Sequence, residues 1–139
     1  MRPARFQQLL LDAASALPGA AAKSFADAGH ARHPVGVAVE AGGRKSLWQI
    51  VVVGFPGESW GAADPEPTLG EKPALLELPT VTSDLSTVEQ ALVAQLLATD
   101  PGEIAAVEIY STRPNPPAVG HGATLDMHDG SKVFINHVR

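Results

Sequence analysis

The 139-residue sequence contains no cysteine. That excludes a disulfide framework, a thiolate zinc site, an iron–sulfur cluster and a cysteine nucleophile. Aromatic residues are scarce, at 5%, and charged residues make up only 18%. No apolar run approaches the length of a membrane span, so no contact with a membrane is expected and the chain reads as cytoplasmic. Basic residues are few as well, ten against fifteen acids, for a net charge of −5. A nucleic-acid backbone is a poor partner for such a chain. What is abundant is aliphatic: 45% of residues are hydrophobic, the composition of a folded core rather than of a disordered segment.

Charge is distributed unevenly. Residues 1–49 carry six Lys/Arg and three Asp/Glu, residues 50–110 carry ten acids and Lys72 alone, and the remainder is nearly neutral. An acidic middle between basic flanks suits either a basic protein partner or self-association.

The amino terminus, Met1-Arg2-Pro3-Ala4-Arg5 ahead of Leu9-Leu10-Leu11, superficially has the form of a secretory signal. Asp12 and the Gln7-Gln8 pair interrupt it, and Phe6, Leu9, Leu10, Ala13 and Leu17 share one helical face. An amphipathic helix is therefore expected, stopping at Pro18-Gly19. A second short helix is expected over residues 20–28, ending at Gly29. Val35, Val37 and Val39 alternate with small or polar residues as in a strand, and Gly42-Gly43 supplies a turn. The apolar run from Leu47 to Val53 reads as a strand covered on both faces.

From 54 to 80 the pattern dissolves into a long Pro/Gly-rich acidic loop, with a short edge strand expected over residues 74–78. Ser86-Thr87-Val88-Glu89 has the spacing of a capping box, and the apolar spacing after it predicts a helix to about Ala98. A strand is expected over residues 104–112, followed by a final hairpin. A three-residue loop, His128-Asp129-Gly130, places Leu125 opposite Val133 and Ala123 opposite Ile135, so that the aliphatics share one face. Phe134 then faces the other way, under a helix or at an interface. No internal repeat is evident in the sequence. The expected fold is α+β over a single domain, 1–139: a mainly antiparallel sheet of about five strands with two or three helices on one face.

Three patterns bear on chemistry. Gly57-Glu58-Ser59-Trp60-Gly61 matches the spacing of a nucleophile elbow, in which glycines leave room beside a serine on a tight turn. Pro65 and Pro67 oppose the helix that such an elbow must launch. Gly42-Gly43-Arg44-Lys45-Ser46 superficially has the look of a phosphate loop, but a strand follows it, so a basic hairpin turn is the better reading. The final hairpin sets His121 opposite His137, where two imidazoles could share a metal if a third ligand joined them.

The reading that results is a small non-enzymatic protein–protein interaction module, such as an inhibitor, immunity-type protein, adaptor or assembly subunit. It would bind through its acidic central surface, with Glu58, Trp60, Asp64 and Glu66 as the contact residues. No cofactor is implied. The alternative is a small hydrolase using Ser59 with His121 or His137 as base, or a metal site on those histidines.

Overall fold

The computed structural model describes residues 1–55, 57 and 66–139. Helix α1 (Pro3–Ser15) leads into strands β1 (Ala20–Ser24), β2 (Gly36–Ala41) and β3 (Arg44–Val53). Helix α2 (Leu85–Thr99) leads into β4 (Ile104–Ile109), β5 (Gly122–Met127) and β6 (Lys132–Val138). All neighbouring strands are antiparallel, in the order β1-β2-β3-β6-β5-β4. The expected α+β architecture is therefore present, with six strands and two α-helices among the described residues and the helices packed on one face. No helix among the described residues is long and apolar enough to cross a membrane.

The core lies between the helices and that face of the sheet. Phe6, Leu10 and Ala14 of α1 meet Val88, Leu92 and Leu96 of α2 and the inward residues Val37, Val39, Trp48, Ile50, Leu125, Val133 and Ile135. The final hairpin takes the register that its aliphatic pattern predicts, Leu125 opposite Val133 and Ala123 opposite Ile135. Gly130 turns it with φ +90°, and its N–H donates to Met127. Trp48 is fully buried, with its indole N–H donating to Ser46 Oγ at 2.8 Å.

Four expectations are corrected. Residues 20–28 form no helix: Ala20–Ser24 pairs with β2 as the edge strand β1, and turns follow it. Helix propensity in this alanine-rich stretch loses to the ladder available once Pro18-Gly19 reverses the chain. Strand β3 is covered on one face only: Ser46, Trp48 and Ile50 are buried, while Val51 and Val53 face outward beside Phe134. Both helices occupy the other face, and no helix or strand among the described residues covers the outer one. Residues 74–78 form no strand, since Leu75 and Leu76 are both exposed and no ladder includes them. Finally, Ser86 is not the cap of α2. Asp84 is, its carboxylate accepting the Ser86 N–H at 2.9 Å. Glu89 turns into the protein instead.

That inward turn reveals an internal repeat which the sequence conceals. Each half of the chain is a helix followed by three strands, and the two halves meet at the β3–β6 seam. Gln7 and Glu89 are each the fifth residue of their helix. Gln7 Oε1 accepts the N–H of Gly36 at 2.9 Å, and Glu89 Oε2 accepts the N–H of Gly122 at 2.8 Å. Each glycine begins the second strand of its half. Each is also covered by the aromatic residue that follows the first strand, Phe25 over Gly36 and Tyr110 over Gly122. A Cβ on Gly36 would lie 2.2 Å from the Phe25 ring; one on Gly122, where φ is +142°, would lie 1.9 Å from the carbonyl oxygen of Ile135. No other residue fits either position without moving backbone. Ser111 Oγ donates to the second carboxylate oxygen of Glu89, and Tyr110 completes the cover through a 2.9 Å hydroxyl bond to Thr124.

Removing the Glu89 carboxylate strands the buried Gly122 N–H and leaves a cavity. Glu89→Ala should therefore lower unfolding free energy by about 2–4 kcal/mol. Glu89→Gln, which keeps an acceptor of the kind Gln7 already supplies, should cost less than half as much. Urea denaturation of the two variants measures this, and equal losses would show that the bond to Gly122 is not the anchor.

Candidate functional site

One end of the β3–β6 seam opens into a cleft of 880 Å³. The β2–β3 turn delivers Arg44 and Lys45, β6 ends there with His137, Val138 and Arg139, and the approach to β5 adds Val119 and His121. The first turn of α2 closes it with Leu85. Leu47, Leu85, Val119 and Val138 give the cleft apolar walls, and Arg44, Lys45 and Arg139 give it a basic rim. Positive φ at Gly42 (+58°) and Gly43 (+78°) makes the tight turn that projects the two cations. This basic turn is the stretch with the form of a phosphate loop, and β3 follows it as expected.

Among the described residues, none of the three cations closes an ion pair. Arg44 donates to the carbonyl of Ser83 at 3.3 Å, and Lys45 stands opposite Glu40 in the hairpin without bonding to it. Three basic side chains elsewhere are matched: Arg5 binds both carboxylate oxygens of Glu103 at 2.6 and 2.7 Å, Arg113 meets Glu108 and Lys132 meets Asp126, while Lys23, Arg32 and Lys72 stand singly among the described residues. The cleft is thus a concentration of unmatched positive charge on a protein of net charge −5.

The histidines sit where the hairpin register predicts. The N–H of His137 donates to the carbonyl of His121 at 3.0 Å, and the rings meet edge to face with centroids 6.2 Å apart. His137 also packs against Trp48, at 5.3 Å between centroids. Burial pushes the His137 imidazole below its ordinary value of 6.5, and the positive charges of His121, Arg44 and Arg139 push it further. His121 Nε2 lies 3.3 Å from Ser86 Oγ. This Ser–His contact lacks the third member of a catalytic set, since no carboxylate among the described residues is bonded to the His121 ring. No third metal ligand joins the pair: the described residues hold no group of three or more His, Cys, Asp or Glu placed to bind an ion. His30 and His33 are elsewhere, their ring nitrogens 2.8 Å apart beside Phe25.

Of the contact residues expected from the sequence, Glu58, Trp60 and Asp64 lie outside the described residues, as does the nucleophile candidate Ser59. Glu66 is described and exposed, near Arg2, Arg5 and Glu103 at the opposite end of the molecule from the cleft. The segment that follows it is the second notable surface. Residues 66–80 have no regular structure, and Leu69, Leu75, Leu76 and Leu78 are 58, 64, 41 and 44% exposed among Glu66, Glu71 and Glu77. Its two ends are fixed. Gly70 N–H donates to Gly102, the His128 ring bonds the Glu71 carbonyl at 2.8 Å, and Thr82 bonds Thr87 in the first turn of α2. The edge strand expected over residues 74–78 would pair the backbone of Leu75, Leu76 and Leu78; without it they stand exposed with Leu69.

No family model, curated protein or solved structure matches the chain.

The depressed His137 imidazole has a defined consequence for stability. Below about pH 6.5 the unfolded chain takes up a proton that the folded protein resists, so stability falls as pH drops through that value towards the lower folded-state pKa. His137→Gln should remove this part of the acid dependence while leaving stability near pH 8 within about 1 kcal/mol of the parent. Urea midpoints across that pH range test it, and an unchanged acid limb in the variant would contradict it.

Proposed function

We propose that the protein is a non-enzymatic protein–protein interaction module, and that residues 66–80 are its contact element. The observation that carries this reading is the row of exposed leucines on an acidic segment tethered at both ends. Exposed leucines set singly on a surface need no explanation, but Leu75, Leu76 and Leu78 fall within four consecutive positions. A segment held at both ends surrenders less conformational freedom on binding than a free tail would, so more of its contact energy becomes affinity.

The chemistry of the segment defines the partner: apolar pockets for the leucines, rimmed by positive charge for Glu71 and Glu77. A basic protein surface or a second copy of this chain has that character. The rest of the acidic stretch, with Glu58, Trp60 and Asp64, adjoins this element in sequence and extends the same charge.

The test compares the parent with Leu75→Asp/Leu76→Asp, each tagged, expressed in the native host and examined by native mass spectrometry. The parent should emerge in a stoichiometric assembly and the variant alone, with melting temperatures within about 2 °C because both positions are exposed. Identical assembly states would show that the leucines are not a contact surface.

A further inference from the structure

We infer that the occupant of the basic cleft is the acidic segment of a second copy of this chain, so that two copies associate by exchanging reciprocal contacts. This inference rests on the reading of residues 66–80 as a contact element and names its partner. The two surfaces are complementary in both of their components. The segment offers Leu75, Leu76 and Leu78 with Glu71 and Glu77 against the single cation Lys72; the cleft offers the apolar walls Leu47, Leu85, Val119 and Val138 with Arg44, Lys45 and Arg139. None of those three cations closes an ion pair among the described residues, and Arg44 and Arg139 have no carboxylate opposite them as Lys45 has in Glu40, so an occupant can bring charge that the cleft lacks.

Glu71 of the same copy is poorly placed to supply it, and Glu77 of the same copy closes no ion pair with the cleft. His128 holds the Glu71 carbonyl beside the β5–β6 turn, at the opposite end of that hairpin from His121 and His137. Glu71 is therefore remote from its own cleft. A second copy has no such restriction, and a two-fold arrangement satisfies both clefts at once, leaving neither surface open for further growth. Nucleic acid is the weaker candidate for the cleft, because a polyanion extending beyond it would meet a surface of net negative charge.

The test is sedimentation velocity on the full chain from about 10 µM to about 500 µM, in roughly 0.15 M salt. The parent should shift from monomer to dimer within that range, and raising the salt should weaken the dimer. Arg44→Glu/Lys45→Glu and Glu71→Lys/Glu77→Lys alter exposed positions only, so both proteins should melt near the parent temperature. Each alone should dimerise roughly tenfold or more weakly, since like charges then face one another. An equimolar mixture should recover a heterodimer. In that pair, the acidic segment of one protein meets the intact basic cleft of the other, and the reversed segment meets the reversed cleft.

A parent that stays monomeric throughout, a dimer that survives both reversals, or a mixture that fails to associate would each overturn the inference. The reading of residues 66–80 as a contact element fails separately. It stands if the parent is a monomer here yet Leu75→Asp/Leu76→Asp still loses an assembly in the host, and it falls if that assembly is indifferent to the leucines.

Discussion

The fold depends on one hydrogen bond made twice. In each half of the chain, a side-chain oxygen from the second turn of a helix accepts the N–H of the glycine that starts the middle strand. That bond fixes the helix on its three-strand unit. The glycine then permits an aromatic ring to close over its other side, Phe25 in one half and Tyr110 in the other. Backbone pairing continues the pattern: the residue before each glycine, Val35 or His121, accepts the N–H of a residue in the third strand, Ile50 or His137, at 3.0 Å in both halves. The second version of the anchor is the stronger one, since Glu89 is almost fully buried and carries Ser111 on its other oxygen.

This construction determines where a functional surface can form. Both helices cover the same face of the sheet, and the two third strands pair with one another at its centre. The end of that seam gathers groups that are distant in sequence, the β2–β3 turn with Arg44 and Lys45 and the end of β6 with His137 and Arg139. The long connection from β3 to α2 has to run from one end of the molecule to the other. Its described residues 66–84 do not join the sheet, and so the acidic segment with its leucines is left on the surface. Cleft and segment are thus two products of the same topology.

Much of the scaffold was legible in the sequence because burial alternates with the period of the element that it serves. The α1 face of Phe6 and Leu10, the α2 row of Val88, Leu92 and Leu96, and the register of the last hairpin all follow from aliphatic spacing. That register also placed His121 beside His137. Less was legible where tertiary contacts decide between local alternatives. Alanines at 20–22 favour a helix locally but form a strand because β2 offers them a ladder. Glu89 has the spacing of a capping residue but meets a backbone N–H 33 positions away. The repeat is hidden because its equivalent positions share a role rather than an identity. Gln7 answers to Glu89 and Phe25 to Tyr110, and only Gly36 and Gly122 are the same residue. The basic cleft was out of reach for a related reason: bringing Arg44 to Arg139 requires the β3–β6 pairing, and no local pattern specifies that pairing.

The two glycine anchors fix each helix on its own three-strand unit, and so keep the shape of the two halves whose seam ends in the cleft. Native-state hydrogen exchange of the Gly36 and Gly122 amides tests this most directly. Both donate to buried or half-buried side-chain oxygens rather than to a neighbouring strand. If they are anchors, they exchange only through global unfolding, as slowly as the Ile50 and Ile135 amides of the central strands. Exchange at the rate of the loop amides around residues 113–120 would contradict the account, because the helices would then be held by apolar packing alone.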